Sequence, residues 1–179
     1  MDNERIKQAE RNFSVYLAEG KIKKIDKYDP LIYETYLRNS KESLIVADSL
    51  FKGKISSLWV VVSSYYSMFY IACAYLYKLG YKVSHEIAHQ IVNEALIVQG
   101  RHKIKSYLLE NYSEEKDNAL AISDNFLDNY EREKIKRASF QYETTEEIKE
   151  GKANTSLERA KEFVELMREI LQSPYLNSS

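Results

Sequence analysis

Cysteine is almost missing from this 179-residue chain: Cys73 stands alone. A single thiol excludes an intramolecular disulfide framework and a cysteine-rich zinc site, and it fits a reducing cytoplasm. Proline occurs only as Pro30 and Pro174, and glycine only at positions 20, 53, 80, 100 and 151, each where a helical pattern stops. These residues read as punctuation between helices. An excess of either charge is also lacking, since 26 Lys and Arg balance 27 Asp and Glu to a net charge of -1. A nucleic-acid partner would therefore have to meet a local basic patch. No stretch alternates with period two between hairpin turns, no repeat or low-complexity tract is visible, and Met1-Asp2-Asn3-Glu4 does not open a secretory signal.

What is present is a globular composition, with 44% hydrophobic and 30% charged residues over 21.0 kDa. That is enough for one domain with a real core, and too apolar for a disordered chain. One segment needs a membrane test. Leu58 to Tyr77 carries no charge over twenty residues, but eight of them are Ser or Tyr. Hydroxyls at Ser63, Ser64, Tyr65, Tyr66 and Ser67 would fall at the hydrocarbon centre, so the segment is expected to be the central helix of a protein without a membrane span.

Asp29-Pro30 has the form of an N-cap with proline in the first turn, and it starts a helix expected over 31–52. A second is expected over 55–79. Ser84 caps a third, which carries Ile87, Ile91, Ala95 and Val98 and stops at Gly100. A short helix over 101–111 and one from Ser113 to the mid-130s follow, the latter with Glu114 and Glu115 in its first turn. Thr155 and Glu158 form a capping-box pattern ahead of Leu157, Ala160, Phe163, Val164, Met167 and Leu171. The expectation is an all-α, antiparallel up-and-down bundle over 30–173. An N-terminal helical extension over 1–29 precedes it and a frayed tail over 174–179 follows. The run Lys21, Lys23, Lys24, Lys27 reads as a solvated face or linker of that extension.

Three constellations carry possible chemistry. His85-Glu86-Ile87-Ala88-His89 matches H-E-x-x-H, in which two histidines one turn apart bind zinc and the glutamate activates water. A zinc hydrolase is thus one alternative. No histidine-rich extension and no preceding sheet accompany the motif, and His85 falls in the first turn after Ser84, so capping or solvent-facing histidines are expected and no metal. The central helix presents small residues at Ser56, Ser63, Ser67 and Ala74, and bulky ones at Trp59, Tyr66, Phe69, Cys73 and Tyr77. One side would admit a close helix neighbour and the other fill a core, with buried tyrosines seeking hydroxyl partners and some facing a shared cleft. Third, the segment from Tyr130 to Glu143 is a basic helix end running into an aromatic turn. Arg137 there could hold a phosphate, with Phe140 or Tyr142 supporting a base.

The order of these features resembles the HEPN domain (higher eukaryotes and prokaryotes nucleotide-binding). The likeness rests on the run from Ala47 to Ala74 with its paired tyrosines, on Gly80-Tyr81-Lys82-Val83-Ser84-His85, and on Arg137-Ala138-Ser139-Phe140-Gln141-Tyr142. It covers about 38 to 171. The resemblance implies a homodimeric helical bundle that binds nucleotide or RNA, a possible nucleotidyltransferase partner in a toxin–antitoxin-type system, and no cofactor. It marks Arg132, Lys136, Arg137, Phe140, Tyr65 and Tyr66 as ligand-binding. The family's ribonucleases carry Arg-x4-6-His at a dimer cleft, and no arginine here has a histidine at that spacing. Arg137 is followed instead by Tyr142, the pair that would have to be catalytic in a metal-independent ribonuclease with an altered Arg-x4-Tyr motif. A phenol with an ordinary pKa near 10 is a poor base at neutral pH, which favours binding over cleavage.

Overall fold

The computed structural model describes residues 1–84, 87–135 and 146–174, with side chains described over 1–84, 87–123 and 149–174. Six helices and two short strands make up the described residues: α1 (Asn3–Ala18), β1 (Ile22–Lys24), α2 (Pro30–Lys52), α3 (Ser57–Lys78), β2 (Tyr81–Val83), α4 (Ala88–Gly100), α5 (Ser106–Ile135) and α6 (Glu146–Gln172). The fold is an all-α bundle, as the sequence led us to expect. Its axis is α3, whose residues from Val60 to Tyr77 are mostly buried. α2 and α6 pack most extensively on α3, while α1 lies chiefly against α4.

Among the described residues α3 alone is long and apolar enough to cross a membrane, and 67% of that apolar window is buried inside the bundle. Of the hydroxyls that argued against a span, that of Ser67 is absorbed locally, while the buried Ser64 hydroxyl finds no partner among the described residues. Ser40 of α2 donates to the Ser67 carbonyl at 2.8 Å, and the Ser67 hydroxyl donates to the Ser64 carbonyl at 2.7 Å. The small residue at 67 thus admits α2 of the same chain. Phe13 of α1 belongs to the main core beside Tyr65, Met68, Ile71, Leu96, Tyr112 and Phe163.

Local boundaries follow cap chemistry, with several departures from the sequence reading. Asp29 does cap α2, accepting from the Leu31 amide at 2.9 Å. The turn after α2 places Lys54, rather than Gly53, in the left-handed region (φ 51°). The Ile55 amide then donates back to the Leu50 carbonyl, closing the helix end. Ser84 is not the cap of α4: Ile87 holds that position with φ 46°, and the buried Ser84 hydroxyl finds no partner among the described residues. The separate helix over 101–111 does not form. Instead α5 starts at Ser106 and runs through Ser113, whose hydroxyl donates to Asn93 Oδ1 at 2.7 Å. Glu115 consequently lies mid-helix, buried between Ser156 and Arg159. Thr155 is likewise inside α6, bonded to the Gly151 carbonyl one turn back, so the capping-box pattern and Gly151 mark no helix end.

The basic run is the other departure. Gly20 (φ 69°) and Gly80 (φ 86°) turn the chain out of α1 and α3, and the segments that follow pair as an antiparallel ribbon. Its register is Ile22 with Val83, Lys23 with Lys82 and Lys24 with Tyr81. Three residues per strand are too few for a visible alternation, and the two strands lie far apart in sequence. Residues 175–179 of the expected tail lie outside the described residues.

A tyrosine–histidine centre beside an aromatic groove

The paired tyrosines of α3 diverge by one helical step, and they meet different surroundings. Tyr65 is fully buried, and its hydroxyl sits 2.7 Å from Nδ1 of His89 at the start of α4. Around that contact the rings close in: Phe69 to His89 at 4.4 Å between centroids, Tyr66 edge-on to His89 at 5.6 Å, and Tyr112 of α5 against Tyr65 at 5.9 Å. Tyr112 stacks in turn on Phe163 of α6 at 5.4 Å. The centre therefore ties four helices together.

Electrostatics assign the protons. Burial pushes the Tyr65 phenol well above its ordinary range, so it stays protonated. Burial, and then the Lys116 ammonium, push His89 below 6.5, so its ring is neutral at neutral pH. Both groups are therefore neutral, and a single proton lies between the Tyr65 hydroxyl and Nδ1. Burial likewise raises Tyr112 and Cys73 far out of the titrating range, and Tyr75 to about 12. A thiol held in that state is packing material, not a nucleophile.

Tyr66 takes the other direction. With Trp59, Ser63 and Tyr70 of α3 and Asn39, Glu42, Ser43 and Val46 of α2, it lines an open groove of about 460 Å³. Tyr66 and Tyr70 stand 6.0 Å apart at 39°, so one wall of the groove is aromatic. The opposite wall carries an amide, a hydroxyl and a carboxylate. Such a lining can stack a planar ring and bond its edge, but it brings no cation.

The structure thus separates the two tyrosines expected to bind ligand: Tyr66 reaches the groove, and Tyr65 is spent on His89. The sequence placed His89 in a zinc motif, whereas its Nδ1 is occupied by Tyr65. His85 and Glu86 lie outside the described residues. Among the described residues no three His, Cys, Asp or Glu side chains gather as metal ligands. Lys136, Arg137, Phe140 and Tyr142 also lie outside the described residues, and Arg132 lies on α5 where side chains are not described. Sequence reasoning missed Asn39, Ser43 and Tyr70 as groove residues. The only signal was their place on α2 and α3, and the groove exists only once those helices pair. No family model, no curated protein and no solved structure matches the chain.

Proposed function

We propose that this chain is a HEPN-like, homodimeric nucleotide- or RNA-binding protein of the cytoplasm, acting by recognition rather than catalysis. The observation that carries this reading is the groove between α2 and α3, in which Tyr66 and Tyr70 present aromatic surface beside Asn39, Ser43 and Glu42. An unpaired base can stack there while its edge bonds the amide and carboxylate. The groove lacks cations, and the sequence supplies them at Arg132, Lys136 and Arg137, in the segment that resembles the family's late arginine motif. A nucleotidyltransferase partner in a toxin–antitoxin-type pair is the setting that resemblance implies.

The test is a mixed RNA pool offered to the purified protein with and without chelator. Binding without cleavage is expected, weakened about tenfold by Tyr66→Ala through lost stacking. Arg137→Ala should weaken it and flatten its salt dependence. Helicity and melting of both variants guard against simple unfolding. Chelator-insensitive cleavage that Tyr142→Phe abolishes would instead make the protein a metal-independent ribonuclease. Chelator-sensitive cleavage would bring back the zinc motif at His85, Glu86 and His89.

A further inference from the structure

The β-ribbon gathers positive charge that no carboxylate answers. Lys23 and Lys82 are directly paired across the two strands and both are exposed, with Lys24 and Lys27 following on the same segment. Like charges facing each other across a ladder destabilise it, and strands of three residues have little stability to spare. Several other lysines do have partners: Lys21 with Glu19, Lys52 and Lys161 with Asp48, Lys54 with Glu150. Among the described residues no carboxylate lies within ion-pair distance of Lys23, Lys24, Lys27 or Lys82. Asp29 lines the cleft beside the ribbon, and it spends a carboxylate oxygen on the Leu31 amide as helix cap.

Beside the ribbon is a cleft of about 540 Å³ walled by Lys27, Tyr28, Tyr77 and Lys82. Tyr28 is 43% exposed, yet its ring is held in place. Lys78 Nζ lies 5.6 Å from its centroid, and Tyr77 and Tyr33 stand 5.5 and 6.1 Å away. A rigid, half-open aromatic ring next to unanswered lysines has the two components of a surface for single-stranded nucleic acid: cations that track phosphates and a face on which a base stacks.

We propose that the ribbon and its cleft bind single-stranded nucleic acid, with phosphates on Lys23, Lys27 and Lys82 and a base on Tyr28. The inference shares with the groove reading only its ligand class, and it uses none of the groove residues. A strand is favoured over a duplex because Tyr28 needs an unpaired base face.

Lys23→Glu gives the decisive experiment, because the two roles of Lys23 predict opposite signs. Replacing the repulsive cross-strand pair with an attractive one should raise the melting temperature by about 1–3 °C. The same change should weaken binding of an oligouridylate of roughly 12 nucleotides about tenfold and make its salt dependence shallower. Tyr28→Ala should weaken the oligonucleotide but not inorganic polyphosphate, which has no base to stack. Adenosine monophosphate should bind far more weakly than the oligonucleotide. Unchanged oligonucleotide binding in Lys23→Glu overturns the proposal, as does a wild type that fails to bind at low salt. Adenosine monophosphate binding as tightly as the oligonucleotide overturns the strand in favour of a mononucleotide. Loss in Tyr66→Ala and Arg137→Ala but not in Lys23→Glu would leave the groove reading standing and remove this one; the reverse pattern would do the opposite.

Discussion

The Tyr65 hydroxyl on Nδ1 of His89 is a neutral pair closed inside aromatic rings, with the Lys116 ammonium near enough to oppose any charge on the imidazole. Its consequence for stability has a definite sign. The folded pKa of His89 lies below the unfolded value near 6.5, so between the two the unfolded chain binds more protons than the native one. Stability from this residue is complete above about pH 6.5 and is lost as pH falls through the folded pKa. Melting followed from about pH 8 to about pH 5 should be level at first and then decline. His89→Gln should flatten the decline, and an undiminished slope in that variant would place the titration elsewhere. Tyr65→Phe should cost about 1 kcal/mol at the alkaline end by removing the hydroxyl from the pair. The sequence contained this centre only in part. That buried tyrosines on α3 would need partners was readable from composition, but the partner's identity depended on α4 packing across α3, twenty-four residues away.

Helices were the legible part of the chain and their ends were not. Asp29-Pro30 fixed the start of α2 because an N-cap and a first-turn proline are local devices. Thr155-x-x-Glu158 is equally local and did not start α6, since Leu157, Ala160 and Ala153 all find burial on one continuous helix. Burial of that face outweighs a cap that a helix can do without. Gly151 then sits exposed in the first half of α6, where a Cβ would meet nothing within 4 Å. Gly151→Ala should therefore stabilise the protein by about 0.5–1 kcal/mol, through helix propensity alone. Gly80 offers equal space but has φ 86°, where the turn from α3 into β2 needs a residue without a side chain. Gly80→Ala should destabilise by about 1 kcal/mol, and chemical denaturation of the two variants should separate open space from permitted backbone. The ribbon that Gly20 and Gly80 launch was hidden for a related reason. Lysine runs usually signal solvated faces, and only the pairing of Lys23 with Lys82 shows that this one is ordered.

At the scale of the molecule, buried charges join the elements. Arg5 of α1 grips Glu94 of α4 through two 2.7 Å bonds, and Arg159 of α6 meets Glu115 of α5 at 2.8 Å. With these contacts closing the bundle, the outer face of α2 leaves apolar side chains exposed among Lys41, Glu42 and Ser49: Ile45 is 54% and Val46 48% exposed, and Ile55 in the following turn 70%. Ser67, on the small-residue side of α3, has α2 of the same chain as its close neighbour, so the homodimer we propose rests on these exposed residues. Val46 also lines the groove, so in the proposed homodimer a second copy on this face would lie beside Tyr66. Light scattering should give about twice the 21.0 kDa chain mass. Ile45→Asp with Val46→Asp should halve it, because a charge facing its own copy across a two-fold interface repels and loses its water. Far-ultraviolet circular dichroism should stay unchanged, since both side chains already face solvent in the single chain. A wild type that remains monomeric at every concentration would exclude the shared face, and RNA binding by that monomer would then have to be accounted for by one groove alone.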